Sequence, residues 1–334
     1  MVPLRIFCWF TMSSLEVDFF GKKIKNPIVL ASGVADMTKA SLERACVEGC
    51  GAVTAKSLTP EPKKGHPGPN LLEFGVDGAC GLINAYGYPN PGIDFGLKEF
   101  SGWDRKHEAF VLSIVGKDAS EFSLLAWKVE DVRKTLGATA IEAALSCPHT
   151  PGYGTMAGQS SPEAVLDITK KIKDACDLPL IIKLSPSSPN LGDAARAAEK
   201  GGADAINMGN TVGPGMKIDI NRKMPQMGFG FGGLSGPAIL PIEVRCVYDV
   251  YEAVEIPIIG TGGVTTGSDA LEMIMAGANW VGVGSAIYYR GYSAFGLIAN
   301  EMQDWMEKNN YSELDELVGV AHKTMKPRKS NVCL

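Results

Sequence analysis

Cys147 stands in the run LSCPHTPGYG, directly after an apolar stretch, and lysines close two other apolar stretches, Lys56 in AVTAKS and Lys183 in LPLIIKLS. A thiol at such a position can serve as nucleophile or as proton-transfer base, and its surroundings set its reactivity. His149 follows two residues later and is near enough in the chain to tune it. Lysines are seldom fully buried without a partner. At the end of an apolar run a lysine can snorkel to solvent, stabilise an anion or form a Schiff base, and spacing does not choose among these. Two glycine turns, Gly260-Thr261-Gly262-Gly263 and Gly284-Ser285, end the last two apolar runs. Backbone N–H groups approach a phosphate closely where no Cβ intervenes. One such turn is ordinary; two adjacent turns point to a phosphate group. Asn210 and Thr211 close a further run. His66, His107 and His322 are dispersed, and no acidic metal-binding spacing occurs, so no catalytic metal is expected.

Eight short apolar runs must position these residues. They are 26–32, 52–57, 109–116, 140–146, 178–185, 203–210, 256–263 and 279–286. Runs of this length without strict alternation suit strands buried on both faces. Helical patterns lie between most of them. SPEAVLDITKKIKDAC opens with a Ser-Pro entry, LGDAARAAEKGG ends in glycines, and SDALEMIMAGA begins at Ser268 with an early Asp269 and stops at Gly277. Strand and helix repeated eight times predict an α/β fold, a (β/α)8 TIM barrel, in preference to a doubly wound open sheet. The long connections 58–108 and 211–236, after strands two and six, belong above the C-terminal face, where barrel enzymes carry their chemistry. One domain is expected over 15–310, with an N-terminal extension 1–14 and a C-terminal segment 311–334.

A hydrophobic share of 45% supports a large core, and a net charge of −5 provides no global basic field for nucleic acid. The eight cysteines have no framework spacing, which favours reduced thiols and a cytoplasmic location. Cys46 and Cys50 read as small core-facing residues of one helix. The opening MVPLRIFCWF is too short to span a bilayer and is interrupted by Arg5, so it reads as a loose extension, with Met12 as an alternative start. No membrane association is expected.

NPIVLASG, TAKSLTPEPKKGHPGP, GLINAYGYPNPG, LSCPHTPGYG, IIKLSP, GNTVGPG, GFGGLSGPAI and IIGTGGVTTGSDALEMIMAGA follow one another in an order that resembles the dihydroorotate dehydrogenases of the soluble, cysteine-base class. The resemblance runs from about Leu15 to Met302, and the barrel domain of dihydropyrimidine dehydrogenase is a related pattern. It implies FMN at the barrel mouth. Ala31, Ser32 and Gly33 would line the flavin, and Lys56 and Lys183 would approach its ring and ribityl regions. Gly233, Ser235, Gly236, Gly262, Gly263, Gly284 and Ser285 would hold the ribityl chain and phosphate. Lys56, Asn84, Asn210 and Thr211 would bind the pyrimidine, and Cys147 would remove a ring proton. A homodimer or larger assembly and a separate electron-transfer subunit are also expected from the resemblance.

Three positions depart from the family pattern. Ala144 and His149 stand where it has asparagines, and Asn70 where an arginine is common. Loss of the amide at 144 can redirect substrate choice, and His149 is the nearest polar replacement in the chain. Another dihydropyrimidine, or a small cyclic or enoyl substrate, is the alternative. A Schiff-base phosphosugar lyase built on Lys183 is a further one, as is a non-catalytic binding subunit.

Overall fold

A computed structural model describes residues 13–75, 81–147, 152–188 and 190–324. Every one of the eight apolar runs supplies a barrel strand. They are β1 (Ile28–Leu30), β2 (Ala52–Thr54), β3 (Ala109–Ile114), β4 (Ala140–Ala144), β5 (Leu180–Leu184), β6 (Ala205–Met208), β7 (Ile258–Thr261) and β8 (Trp280–Val283). All neighbours are parallel, and β8 returns to β1 with Gly282 opposite Val29, which closes the barrel.

One helix of the outer ring follows each strand: α1 (Lys39–Val47), α2 (Ile93–Glu99), α3 (Ala119–Asp131), α4 (Pro162–Lys173), α5 (Leu191–Lys200), α6 (Leu240–Tyr251), α7 (Gly267–Ala276) and α8 (Ala294–Lys308). The Ser-Pro entry of α4 works as expected, with Ser161 accepting the Ala164 N–H at 3.2 Å and Pro162 opening the helix. Helix α7 starts one residue earlier than Ser268. Thr266 is its cap, because the Asp269 carboxylate reaches back to the Thr266 N–H at 2.8 Å and completes a capping box.

The barrel interior has two storeys of opposite character. The lower one is apolar: Val29, Ala52, Ala109, Val111, Ala140, Ile181, Ala205 and Ile259 surround Phe19 and Ile24. These last two belong to an antiparallel hairpin, Val17–Phe19 with Lys22–Ile24, that plugs the bottom. Four alanines leave the width that an aromatic plug needs. An isolated two-stranded hairpin is marginal in water. Here Phe19 packs on Trp280 with ring centroids 4.6 Å apart, and Trp280 Nε1 donates to the Asp18 carbonyl at 3.0 Å.

The upper storey is polar. Ser57, Ser113, Glu142, Lys183, Asn207 and Thr261, drawn from β2 and its C-terminal end through β7, are all buried. Gly282 of β8 leaves the space that Thr261 fills, since a Cβ there would overlap the Thr261 hydroxyl.

The two long connections meet above this storey. They form a four-stranded antiparallel sheet in the order Val212–Gly215, Gly232–Ser235, Gly81–Asn84, Leu71–Phe74. Glycines permit the close packing: a Cβ on Gly232 would strike the Asn84 carbonyl, and one on Gly233 would strike Thr211 Oγ1.

Candidate active site

Between the polar storey and the roofing sheet lies a cavity of about 360 Å³. Fourteen of the expected cofactor, substrate and catalytic residues line it: Ala31, Ser32, Gly33, Lys56, Asn84, Cys147, Lys183, Asn210, Thr211, Ser235, Gly262, Gly263, Gly284 and Ser285. Gly233 and Gly236 stand outside the lining and serve the packing of the roof. His149 lies outside the described residues.

Glu142 is the centre of the polar storey. It is 1% exposed and accepts from Ser32 Oγ at 3.2 Å, Ser113 Oγ at 3.1 Å and Asn207 Nδ2 at 2.6 Å. Thr261 Oγ1 donates to Asn207 Oδ1 at 2.8 Å, which fixes the Asn207 amide with its N–H toward the carboxylate. Lys183, 4% exposed, donates to Ser32 Oγ at 3.1 Å and stands 3.7 Å from Glu142 Oε1. A buried ion pair survives only where hydrogen bonds satisfy the remaining valences, and these do so. The network holds Lys183 upright at the cavity floor, ammonium toward a ligand. That use of Lys183 as a paired cation differs from the free amine a Schiff base requires.

Lys56 is 8% exposed, and its ammonium makes no hydrogen bond or ion pair among the described residues. Its backbone N–H donates to the Asp36 carbonyl at 3.0 Å, and the Asp36 carboxylate accepts from Gly33 N–H. Burial pushes the Asp36 carboxyl up from its ordinary value, with the Lys56 charge opposing. A nearly buried ammonium that borders a cavity, with the Asp36 charge and the Tyr88 ring as its neighbours, can still donate to a ligand. Thr211 Oγ1 is buried at the cavity wall with no hydrogen-bond partner among the described residues. Asn210 is half committed: Nδ2 donates to Ser146 Oγ at 2.6 Å, and Oδ1 accepts from Thr211 N–H at 2.7 Å.

The glycine turns act differently from one another. Gly262 and Gly263 have φ of 128° and 80°, which excludes most side chains. A Cβ on Gly262 would meet Glu243 Cγ at 2.5 Å, and one on Gly263 would meet the Leu240 N at 2.6 Å. Their need for glycine therefore comes from α6 behind them as well as from any ligand in front. At Gly284 a Cβ would find only Ala31 and Val34 carbons at 3.8 Å. The protein itself would tolerate alanine there, so this glycine keeps open a space on the cavity side. Ser285 then begins a short helix, Ala286–Arg290, the position at which barrels carry a phosphate. The anion-seeking Lys56 and Lys183, the space at Gly284 and the unpartnered Thr211 hydroxyl all fit an FMN and its substrate.

Cys147 lies three residues beyond the end of β4, on the cavity wall, and is not in a disulfide. Cys46, Cys176 and Cys246 are likewise outside any disulfide, and burial pushes each up to about 12, so they are inert packing thiols. Cys46 and Cys50 are both fully buried in the core as expected, but only Cys46 is on α1, which ends at Val47. Ala144 faces an apolar group of Val115, Tyr153 and Tyr88. Sequence reasoning did not reach Glu142, Asn207 or Tyr88. Glu142 carried a signal, as the one charge inside the run AIEAALS; Tyr88 carried none until the roof was folded over Cys147.

A closed parallel barrel with a cavity at its mouth, and a thiol just beyond its fourth strand among the lining residues, is an arrangement suited to an enzyme. Residues 14–306 match the family model described as dihydroorotate dehydrogenase. The chain is 44% identical over 313 residues to the dihydroorotate dehydrogenase B (NAD(+)) catalytic subunit of Pyrococcus abyssi, covering 92% of this chain and 99% of that one. It is 43% identical over 312 residues to the subunit of the same name from Methanosarcina mazei, covering 93% and 96%. A solved dihydroorotate dehydrogenase from Eimeria tenella, in complex with ferulenol, shares the fold with a TM-score of 0.78 at 22% identity, over 92% of this chain and 89% of that one. This chain belongs to the dihydroorotate dehydrogenase family, oxidoreductases acting on a CH–CH bond.

Proposed function

We propose that this chain, through a single barrel over residues 15–310, binds FMN and oxidises dihydroorotate to orotate in pyrimidine biosynthesis. The observation that carries the reading is the convergence on one cavity of Cys147, the nearly buried Lys56 and the Thr211 hydroxyl, which has no hydrogen-bond partner among the described residues. Cys147 as thiolate removes a proton from one ring carbon and becomes the thiol. Bound at this mouth, FMN supplies the acceptor for the hydride that leaves the neighbouring carbon, so a ring C=C forms. Lys56, Asn84, Asn210 and Thr211 orient the substrate; Lys183 and the Gly284-Ser285 turn hold the cofactor. The names of the Pyrococcus and Methanosarcina relatives support a second subunit that passes the electrons on to NAD(+). Among the described residues no helix is long and apolar enough to cross a membrane, and we place the reaction in the cytoplasm, with the chain as a homodimer or larger.

The test is anaerobic bleaching of the flavin in the purified protein by dihydroorotate, beside a panel of other dihydropyrimidines. Cys147→Ala should keep the flavin yet slow its reduction by about 10²–10⁴-fold, the usual cost of losing a general base. Bleaching by another dihydropyrimidine alone would favour the reading that Ala144 has changed the substrate. A colourless protein that takes up no FMN would end the flavin reading altogether.

A further inference from the structure

Among the described residues Glu243 alone buries a carboxyl with no hydrogen-bond partner on either oxygen. Glu142, almost as fully buried, has donors on both of its oxygens. An ionised carboxylate offers several acceptor sites, and leaving them dry in an interior costs far more than burying the neutral acid. The position of Glu243 gives this meaning. It stands in the first turn of α6, and a Cβ on Gly262 would come within 2.5 Å of its Cγ and 2.9 Å of its Oε1. Gly262 itself lines the cavity at the end of β7, next to the Gly284-Ser285 turn of β8, the phosphate position of barrels. At Gly262 only backbone, with no side chain of its own, stands between the carboxyl and that end of the cavity.

We propose that Glu243 is a cofactor-site residue that couples FMN binding to a proton: the phosphate end of the cavity accepts its anion when Glu243 is the neutral acid and repels it when Glu243 is a carboxylate. The proposal rests on the flavin reading above and adds to it a residue that lies behind the cavity wall. The coupling is a proton equilibrium, and no bond to the cofactor is made. Two like charges separated by buried backbone instead of water oppose one another strongly. Burial pushes the Glu243 carboxyl well above its ordinary value, against the opposing Asn210 backbone N–H and Lys183 ammonium. The first turn of a helix favours negative charge, so ionisation is resisted by burial and by the phosphate, not by α6 itself. On its own helix the titratable neighbour is Cys246, which burial pushes up to about 12 and so keeps neutral. From β5 the Lys183 ammonium faces it, already paired with Glu142. The ends of β6 and β7 present only backbone there, the Asn210 N–H and Gly262. No charge on the flanking helices α5 and α7 bears on it among the described residues.

The test is release of FMN from the loaded protein on serial dilution, read by the fluorescence of the freed flavin, between pH 6 and pH 9. Wild type is compared with Glu243→Gln, which mimics the neutral acid at every pH, and with Glu243→Met, which has a similar size and no charge should the amide disturb the packing. Binding that requires one extra proton weakens by up to about tenfold per pH unit above the midpoint. The ratio of the wild-type to the Glu243→Gln dissociation constant should accordingly rise by about tenfold or more across this range, and Glu243→Met should follow Glu243→Gln. Titration of the phosphate itself, at about pH 6, is common to all three proteins and cancels in the ratio. Riboflavin, which lacks the phosphate, should give a flat ratio. A flat ratio with FMN, or an equal rise with riboflavin, overturns the inference and leaves the flavin reading intact. A protein that takes up no FMN at any pH overturns both.

Discussion

Glu142 is predicted to matter more to this protein than any other residue that touches no ligand. Glu142→Gln keeps the volume and one acceptor but removes the charge 3.7 Å from the Lys183 ammonium. At an effective dielectric near 20, that separation corresponds to about 4.5 kcal/mol of Coulomb attraction. The new amide N–H₂ also points a donor at Asn207 Nδ2, which now donates at 2.6 Å. Flipping the Asn207 amide would take the acceptor from the Thr261 hydroxyl. Both partners are almost wholly buried, so water cannot step in. Removing one member of a buried pair typically costs about 3–5 kcal/mol, most of it the stranded charge. Glu142→Gln should lose that much in chemical denaturation. The double variant Glu142→Gln with Lys183→Met should be more stable than Glu142→Gln alone, because the stranded ammonium is gone. A loss under about 1 kcal/mol, the scale of an exposed ion pair, or strictly additive single effects, would refute the network as described.

Three further outcomes follow from the same geometry. Gly284→Val should release flavin while leaving the fold intact, measured as absorbance retained after gel filtration, whereas Gly262→Val should damage the fold itself through Glu243. Ala144→Asn crowds the Val115–Tyr153–Tyr88 group, so it should cost about 1–3 kcal/mol and weaken orotate binding in a flavin titration; tighter orotate binding would show that the pocket still holds room for an amide. Glu243 is fully buried with no hydrogen-bond partner for either oxygen among the described residues, and burial pushes it well above its ordinary value near 4.5, beyond what the facing Asn210 backbone and Lys183 offset. A carboxyl raised in the folded state binds more protons folded than unfolded, so its stability contribution is full below that ordinary value and falls as pH rises toward the raised one. Glu243→Gln should remove this slope, seen as a denaturation midpoint that gains on wild type between pH 5 and pH 8; parallel curves for the two proteins would contradict it.

The barrel was legible because its causes are local. Eight apolar runs, each the length of a strand and each followed by a helical pattern, have few other ways to bury both faces. The rule that chemistry gathers at the C-terminal ends of barrel strands then placed Cys147, Lys56, Lys183 and Asn210 in one region before any coordinates. What each residue does there was decided by neighbours distant in the chain. Gly262 looked like a phosphate glycine, yet the atom nearest to a Cβ there belongs to Glu243, on α6. Lys183 could have been a Schiff-base amine until Glu142, from the adjacent strand, and Ser32, from the far side of the barrel, made it a paired cation. Tyr88 borders the same cavity as Cys147 only because the connection after β2 folds back as a roof held by Asn90 and by the strand Gly232–Ser235. Periodicity along a chain specifies which face is buried, and so it specifies elements and their order. Pairings between side chains dozens of residues apart depend on register and on the space left between layers, and those exist only once the barrel has closed.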